Sequence, residues 1–318
     1  MSEEIEAMHA NNTWSIVPLP ADKTSIGCRW VYTNKMNSDG TLARHKARLV
    51  AKGYTQQQGV DFIETFSPVA KLISVKFLLA IASSQNWFLS QLDISNAFLN
   101  GDLFEEVYMD MPMGYIPKQN QSSSHGKLVC KLHKSIYGLK QASRQWNLKF
   151  TEAVVKIGFV QSKADYSMYT RGSNSSFVVL LLYVDDIVIS GPNKSIISDI
   201  IKQLSSVFRL KNLGDLKYFL GLEVARSSKG IVFCQRHYAL QILEDEGFLD
   251  SKPLKTPMDP KIHLTLTNGD LLDDATGFRR LIGRLLYLTI TRPDITFAVN
   301  SLSQFVQSPH QPHLQVVH

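Results

Sequence analysis

Two adjacent aspartates, Asp185 and Asp186, stand inside an otherwise apolar run that extends from residue 177 to residue 190. Ionised carboxylates are rarely placed between apolar strands unless another group cancels their charge. Side by side, the two would raise each other's pKa until one stayed protonated. A divalent cation such as magnesium, which prefers carboxylate oxygens, removes both difficulties. This stretch therefore predicts a β-hairpin with a metal-binding tip; a polar turn between two buried strands is the alternative, and Tyr183 and the long apolar flanks favour the metal site.

A third carboxylate, Asp93, ends a predicted strand over residues 87–94. From there the predicted order is strand, helix, hairpin, helix and strand, which matches a split βαβ, ferredoxin-like unit. In that unit Asp93 and the hairpin tip lie on neighbouring central strands. We therefore expect carboxylates that are far apart in sequence to converge on one metal site.

Basic residues alternate along a second predicted hairpin, with strands at residues 28–35 and 43–51 and a turn signal at residues 37–40. Arg44, Lys46 and Arg48 recur with period two, so all three side chains point to one face of their strand. A face of this kind suits a polyanion. A charged edge strand that blocks aggregation is the alternative interpretation.

Hydrophobic periodicity predicts the remaining elements. The predicted helices span residues 3–11, 69–85, 143–157, 196–208, 237–249, 276–290 and 294–307. Further strands are predicted at 216–224 and 230–235, a polar loop at 118–127, and a linker marked by prolines 253, 257 and 260. The segment Thr291–Asp294 matches a capping box, and His310 and His313 are expected in a flexible tail.

Composition excludes several classes of protein. The 318 residues carry a net charge of +6, which permits a nucleic-acid partner, and 44% are hydrophobic, enough for more than one subdomain. Three widely spaced cysteines predict neither a disulfide framework nor a cysteine zinc site. The N-terminus lacks a secretory signal, and the longest apolar run is too short to cross a bilayer. A soluble, intracellular protein is expected.

Taken together, these motifs resemble the reverse transcriptase of copia-type long-terminal-repeat retrotransposons, of the kind abundant in plants. The resemblance runs nearly end to end and rests on ten short motifs in order. They are Trp14 with Val17 and Pro18, then the segments 29–32, 46–53, 64–69, 91–101, 106–109, 137–141, 183–186, 218–221 and 291–294. Ser143 departs from the family, which usually has proline there.

The resemblance implies an α+β, right-hand polymerase fold with fingers, a ferredoxin-like palm and a helical thumb. The fingers would be formed mainly by residues 14–90, and the palm mainly by residues 91–235 with interleaved fingers segments. Residues 236–318 would form the thumb and the start of the connection. No ribonuclease H carboxylates, integrase zinc motif or protease triplet are visible in the sequence, so one domain of a polyprotein is expected.

The resemblance also implies roles for individual residues. Asp93, Asp185 and Asp186 match the catalytic, metal-binding carboxylates of a two-metal polymerase. Lys46 and Arg48 match the fingers residues that contact the triphosphate, and Phe98 matches the residue that excludes a 2′-hydroxyl. Gly138, Leu139 and Lys140 match the loop beneath the templating base pair, and the primer grip matches Phe219, Leu220 and Gly221.

The implied function is RNA-directed DNA polymerase activity with two Mg²⁺ ions, or Mn²⁺ in their place. The expected partners are an RNA or DNA template with its primer and deoxynucleoside triphosphates, in the cytoplasm, within a virus-like particle, or in the nucleus. Two other readings stay open at this point. One is a catalytically silent element remnant that at most binds nucleic acid; the other is a nucleotide cyclase, against which the fingers and primer-grip motifs count.

Overall fold

The computed structural model describes residues 1–36, 41–116, 126–259, 261–267 and 269–318. Helices and sheets both contribute, which confirms the α+β class, and the chain divides into two compact units, Met1–Leu216 and Lys217–His318. The predicted turn at residues 37–40, most of the predicted polar loop at 118–127, and Pro260 lie outside the described residues.

The described strands and helices follow the chain in one series. The strands are β1 (Trp14–Pro18), β2 (Ser25–Ile26), β3 (Cys28–Met36), β4 (Leu42–Ala51), β5 (Phe88–Ile94), β6 (Tyr108–Asp110), β7 (Leu128–Leu132), β8 (Val160–Gln161), β9 (Met168–Arg171), β10 (Val178–Tyr183), β11 (Asp186–Gly191), β12 (Leu210–Asp215), β13 (Tyr218–Phe219), β14 (Leu222–Ser227) and β15 (Gly230–Cys234). The helices are α1 (Ser2–Ala10), α2 (Leu72–Ser84), α3 (Ala142–Lys156), α4 (Lys194–Ser205), α5 (Arg236–Asp245), α6 (Ala275–Leu288), α7 (Thr296–Ser303) and α8 (Gln311–Val317).

A six-stranded antiparallel sheet forms the centre of the first unit. Its strand order is β12-β5-β11-β10-β9-β8. The segment β5-α3-β10-β11-α4-β12 is a βαββαβ unit whose first and third strands are neighbours, as the ferredoxin-like prediction requires. This order places the end of β5 directly beside the start of β11.

Apolar side chains from the sheet, α3 and α4 form the core that supports these strands. Trp146, Phe150 and Phe208 pack ring against ring, with centroids 5.2–5.9 Å apart. Ile197, Ile200 and Leu204 supply the buried face of α4. Burial of rings and branched side chains on this scale is the main stabilising contribution to such a unit.

The β3–β4 hairpin forms a separate two-stranded ribbon. The end of the ribbon where β3 begins and β4 ends is buried against α1 and a four-stranded sheet of order β1-β7-β6-β2. There Met8, Leu49 and Ala51 share a hydrophobic cluster. The opposite end of the ribbon, where β3 ends and β4 begins, is exposed. The buried part fixes the ribbon to the unit, so the basic residues of β4 are held on a supported strand.

The second unit consists of the three-stranded sheet β13-β14-β15 and the helices α5 to α8. The expectation of a flexible tail at His310 and His313 is wrong. His313 belongs to α8, is fully buried, and stacks on Phe305 with ring centroids 4.0 Å apart. The imidazole is used as a flat core ring whose two nitrogens pair with backbone groups of His310 and Thr265.

Two boundaries differ from the sequence prediction for identifiable reasons. The strand expected at 216–224 is two short strands, β13 and β14, because Leu220 and Gly221 adopt left-handed backbone conformations between them. The capping box expected at Thr291–Asp294 is absent, since Asp294 instead pairs with Arg292. Within the part of the chain that the structure describes, no helix has the length and apolar character needed to span a membrane.

Candidate active site

Asp93, Asp185 and Asp186 are brought together where β5 and β11 meet. In the antiparallel register Asp93 lies directly opposite Asp186, and the Ile94 N–H donates to the Asp185 carbonyl at 2.8 Å. Directly opposed residues in such a pair have Cβ atoms about 5 Å apart. Three carboxylates that come from two separate parts of the sequence therefore lie at the same end of two neighbouring strands of the central sheet.

The turn that carries Asp185 is strained. Tyr183 pairs with Asp186, so Val184 and Asp185 alone connect β10 to β11. Val184 has a φ of +54°, a left-handed conformation that a β-branched side chain adopts at a cost on the order of 1–3 kcal/mol. Its carbonyl accepts a hydrogen bond from Nε1 of Trp146 on α3 at 2.6 Å. The surrounding structure therefore holds the backbone of this turn in an unfavourable conformation.

Two carboxylates of the site, Asp93 and Asp186, resist ionisation. Burial raises the pKa of Asp93 and the charge of Asp185 raises it further, against the opposing influence of Lys211, Lys46 and Arg48. Burial also raises the pKa of Asp186; Gln91 opposes this through a hydrogen bond at 3.4 Å, while Asp185 and Asp93 add to it. Clustered, partly buried carboxylates with raised pKa values are the electrostatic setting that a bound cation relieves.

The chemistry of this donor set fits magnesium, because all three side chains offer hard carboxylate oxygens. Taken over the described ranges of the chain, however, no three His, Cys, Asp or Glu side chains are already gathered into a finished metal-binding group. The backbone thus places three carboxylates suited to a hard cation at the same end of β5 and β11, without gathering their side chains into one group.

A basic cavity of about 260 Å³ opens beside the β3–β4 ribbon. Lys46 and Arg48 line it together with Tyr137 and Gly138. Burial lowers the pKa of Lys46, and the charges of Arg48, Arg44 and Lys35 lower it further. The period-two face predicted from the sequence therefore concentrates positive charge, and Lys46 and Arg48 both lower the pKa of Asp93 electrostatically.

Phe98 reaches the same region from the 3₁₀ turn that follows β5. Its ring meets Tyr137 edge to face with centroids 4.8 Å apart, and the Arg48 guanidinium lies 4.5 Å from the centre of the Tyr137 ring. Phe98 is half-buried and also packs against both hydrophobic clusters of the first unit. A continuous contact thus links Phe98, through Tyr137, to the cationic wall of the cavity.

Gly138 and Lys140 belong to the loop between β7 and α3. Gly138 has a φ of +91°, and a side chain there would collide with the Ala51 carbonyl, so only glycine fits. The ammonium group of Lys140 donates to the Gln56 carbonyl at 3.0 Å and lies 5.0 Å from the centre of the Phe62 ring. Gly138 therefore lines the cavity directly, whereas the Lys140 ammonium is bound to the segment around Gln56.

Phe219, Leu220 and Gly221 lie in the second unit. Phe219 is buried in β13, Leu220 and Gly221 form the left-handed turn into β14, and the Tyr287 hydroxyl donates to the Leu220 carbonyl. The buried Phe219 and the hydrogen bond from Tyr287 therefore hold this turn in place within the second unit.

Comparison with known proteins decides the family. A family described as "Reverse transcriptase (RNA-dependent DNA polymerase)" matches residues 11–260, well over half of the chain. The chain belongs to this reverse transcriptase family.

Retrotransposon polyproteins are the relatives of this reverse transcriptase chain. It is 45% identical over its whole length to the retrovirus-related Pol polyprotein from transposon RE1 of Arabidopsis thaliana, and 37% identical over 327 residues to that from transposon TNT 1-94 of Nicotiana tabacum. It covers 21% and 24% of those two proteins, so it spans about a fifth to a quarter of their length. The recognition of a copia-type reverse transcriptase domain is confirmed.

Two further similarities reach beyond plants. The chain is 30% identical over 226 residues to the putative transposon Ty5-1 protein YCL074W of Saccharomyces cerevisiae, covering 70% of this chain and 72% of that protein. A solved foamy viral protease–reverse transcriptase in complex with double-stranded DNA is similar over 99% of this chain and 46% of its own, with 12% identity and a TM-score of 0.47.

Several residues around the candidate site were given no role in the sequence analysis. Glu4 of α1 is buried and accepts a hydrogen bond from the Leu49 backbone, close enough to Lys46 and Arg48 to act on both electrostatically. Lys211 lies opposite Asp93 on the other side of β5. Tyr137 belongs to the motif at residues 137–141, and Trp146 lies in the predicted helix at 143–157. Only the position of Tyr137 beside Gly138 gave a sequence signal; the others are products of tertiary packing.

Proposed function

We propose that this domain is an RNA-directed DNA polymerase that extends a primer by two-metal nucleotidyl transfer. The chain spans only part of its relatives, so the activity is inferred for the domain itself. The observation that carries the proposal is the register of β5 and β11, which sets Asp93 opposite Asp186 with Asp185 in the adjoining turn. Family membership supplies the reaction type to which this arrangement of carboxylates is suited.

Asp93 and Asp185 are the residues proposed to hold both divalent ions, with Asp186 acting from one side. When bound, such ions supply charge neutralisation at the triphosphate and a lowered pKa at the primer 3′-hydroxyl. The raised pKa values of Asp93 and Asp186 support this assignment, because a cation nearby would restore both groups to the ionised form.

Lys46 and Arg48 are proposed to bind the triphosphate in the basic cavity. Both side chains line this cavity, and guanidinium and ammonium groups form strong charge-assisted hydrogen bonds with phosphate oxygens. Phe98, beside this cavity, would exclude a 2′-hydroxyl. Phosphoryl transfer depends mostly on positioning and charge, which is what this set of side chains provides.

The remaining assignments follow the family more than the geometry. Gly138, Leu139 and Lys140 are proposed to support the templating base pair, and Phe219, Leu220 and Gly221 to hold the primer. Residues 14–90, 91–235 and 236–318 would serve mainly as fingers, palm, and thumb with the start of the connection. The net charge of +6 is compatible with an RNA or DNA template and its primer as partners.

Primer extension on a homopolymer template tests the proposal. Purified protein with poly(rA), an oligo(dT) primer, dTTP and Mg²⁺ should give extended product, and chelation of the metal with EDTA should abolish it. Binding of the same template–primer should fall steeply with added salt, because it depends on dispersed phosphate contacts. Protein that binds template–primer but extends no primer with either Mg²⁺ or Mn²⁺ would contradict the proposal and identify a silent element remnant.

A further inference from the structure

Trp146 stands out among the core aromatics because it makes a polar contact with the hairpin turn. It lies on α3 with 1% of its surface exposed, and its ring packs against those of Phe150 and Phe208. Its single donor, Nε1–H, is aimed at the Val184 carbonyl at 2.6 Å. A fully buried ring that packs against two other rings has little freedom to turn this donor elsewhere, so α3 imposes the hydrogen bond on the turn.

The turn is held at two successive carbonyls. Trp146 binds the carbonyl of Val184, and the Ile94 N–H of β5 binds the carbonyl of Asp185. Val184 is the residue in the left-handed conformation, and its peptide carries the backbone N–H of Asp185. Rotation of that peptide would therefore move the Asp185 side chain relative to Asp93 on the neighbouring strand.

We propose that Trp146 is a positioning residue that uses its indole N–H to set the Val184 peptide and thereby aim the Asp185 carboxylate at the site. The inference rests on the proposed function, because it assigns a purpose to the orientation of a carboxylate in that site. Trp146 touches no reacting group and acts only through the backbone of the turn. Groups that orient a metal ligand in this way commonly contribute tenfold or more to metal affinity or activity.

Trp146→Phe separates the hydrogen bond from the aromatic packing, since phenylalanine keeps a ring but has no donor. Phe150→Leu is the matched control: Phe150 lies one turn along α3, is equally buried and contacts the same ring cluster. Both variants would be checked for folding by thermal denaturation. We expect the Mg²⁺ concentration for half-maximal primer extension to rise about tenfold or more in Trp146→Phe and by less than about twofold in Phe150→Leu.

Two spectroscopic measurements are independent of polymerase activity. The chain has four tryptophans, and the indole N–H proton signal missing from Trp146→Phe identifies Trp146; it should lie downfield of the other three because its hydrogen bond is short. The amide of Ile94 should exchange with solvent at least about tenfold faster in Trp146→Phe than in wild type, relative to the other amides of β5, while Phe150→Leu leaves this ratio near the wild-type value.

Unchanged Ile94 exchange in a folded Trp146→Phe protein, or the same changes in both variants, would overturn the proposal and reduce Trp146 to packing. An inactive wild type would contradict the polymerase assignment instead. In that case the amide exchange and the indole signal would still show whether Trp146 holds the turn.

Discussion

At the scale of single residues, several groups of the candidate site are held in states that they would not adopt in isolation. Asp93 and Asp186 are pushed towards their neutral forms, Lys46 is pushed towards loss of its proton, and Val184 is held in a left-handed conformation. None of these arrangements favours the folded state by itself. Such conflicts concentrate where charge must be ready for a ligand, and here the carboxylates lie close enough to Lys46 and Arg48 for these cations to act on Asp93.

Phe98 is predicted to exclude ribonucleotides by steric conflict rather than by an added contact. Phe98→Val should lower the ratio of kcat/KM for deoxy over ribo substrates by about tenfold or more, because the smaller side chain leaves room for a 2′-hydroxyl. Single-nucleotide incorporation with dTTP and UTP measures this ratio.

Leu99→Val is the control for general loosening of the core at this turn, since Leu99 is the adjacent, fully buried residue. It should leave the ratio unchanged. If the ratio of a folded, active Phe98→Val enzyme equals that of wild type, Phe98 is an ordinary core residue.

The raised pKa of Asp186 makes a prediction about stability and pH. A carboxyl group whose folded pKa lies above its ordinary value stabilises the fold while it is protonated, and this contribution is lost as pH rises through the folded pKa. Without divalent ions, Asp186→Asn should therefore melt above wild type at pH 7.5, by about 1–2 °C, since partly exposed charge interactions are worth up to about 1 kcal/mol.

Thermal melts in EDTA and in Mg²⁺ measure this difference. The advantage of Asp186→Asn should shrink as pH falls towards the ordinary carboxyl range, and added Mg²⁺ should stabilise wild type more than the variant. A variant that melts below wild type in EDTA at pH 7.5 would show that the ionised Asp186 carboxylate does not destabilise the fold through its burial and its like-charged neighbours.

At the scale of secondary structure, Asp165 joins α2 to the central sheet. Its carboxylate accepts hydrogen bonds from the Lys71 N–H at 3.1 Å and the Ser74 hydroxyl at 2.5 Å, at the start of α2, and from Ser167. Asp165 is thus the N-terminal cap of a helix that begins some ninety residues earlier in the chain. It links this helix to the strand that follows it, β9.

Asp165→Ala should lower the free energy of unfolding by about 2–4 kcal/mol, because several buried donors lose an ionised partner. Burial raises the pKa of Asp165, but the hydrogen bonds from Ser167, Ser74 and Lys71 outweigh it and the net shift is downward. The contribution is therefore complete above the ordinary carboxyl pKa and is lost as pH falls through the lower folded pKa.

Urea denaturation at a series of pH values measures this contribution. The exposed Asp199, which pairs with Lys202 on α4, offers a matched control, and Asp199→Ala should cost less than about 0.5 kcal/mol. Equal losses for the two variants at pH 7 would contradict the capping role of Asp165.

Some secondary-structure elements could be predicted from the sequence and others could not. β5, β10 and β11 were predicted because their apolar runs are long and end in carboxylates, and α4 because its isoleucines recur at helical spacing. The polar, largely exposed β12 has no such pattern, and its pairing with β5 specifies it instead. Asp165, Glu4 and Trp146 act through partners that are distant in sequence, and no local spacing reports such contacts.

At the scale of the molecule, the chain is one reverse transcriptase domain in two compact units, about a fifth of the length of its plant relatives. The sequence was sufficient for the family and for the ferredoxin-like order of the central strands, since both depend on motifs and periodicity. It was insufficient for the second unit, where His313 serves as a core ring and Leu220 breaks a strand. Both outcomes depend on packing.

The central claim is that Asp93, Asp185 and Asp186 form one metal-dependent polymerase centre. Single-turnover incorporation of one nucleotide on an RNA template, compared between wild type and Asp185→Asn at equal template–primer occupancy, tests it most directly. The variant should bind template–primer with an affinity within about twofold of wild type yet incorporate at least about a thousandfold more slowly, since several kcal/mol of transition-state stabilisation depend on the metal-binding charge. Incorporation by the variant at a rate near that of wild type would contradict the account.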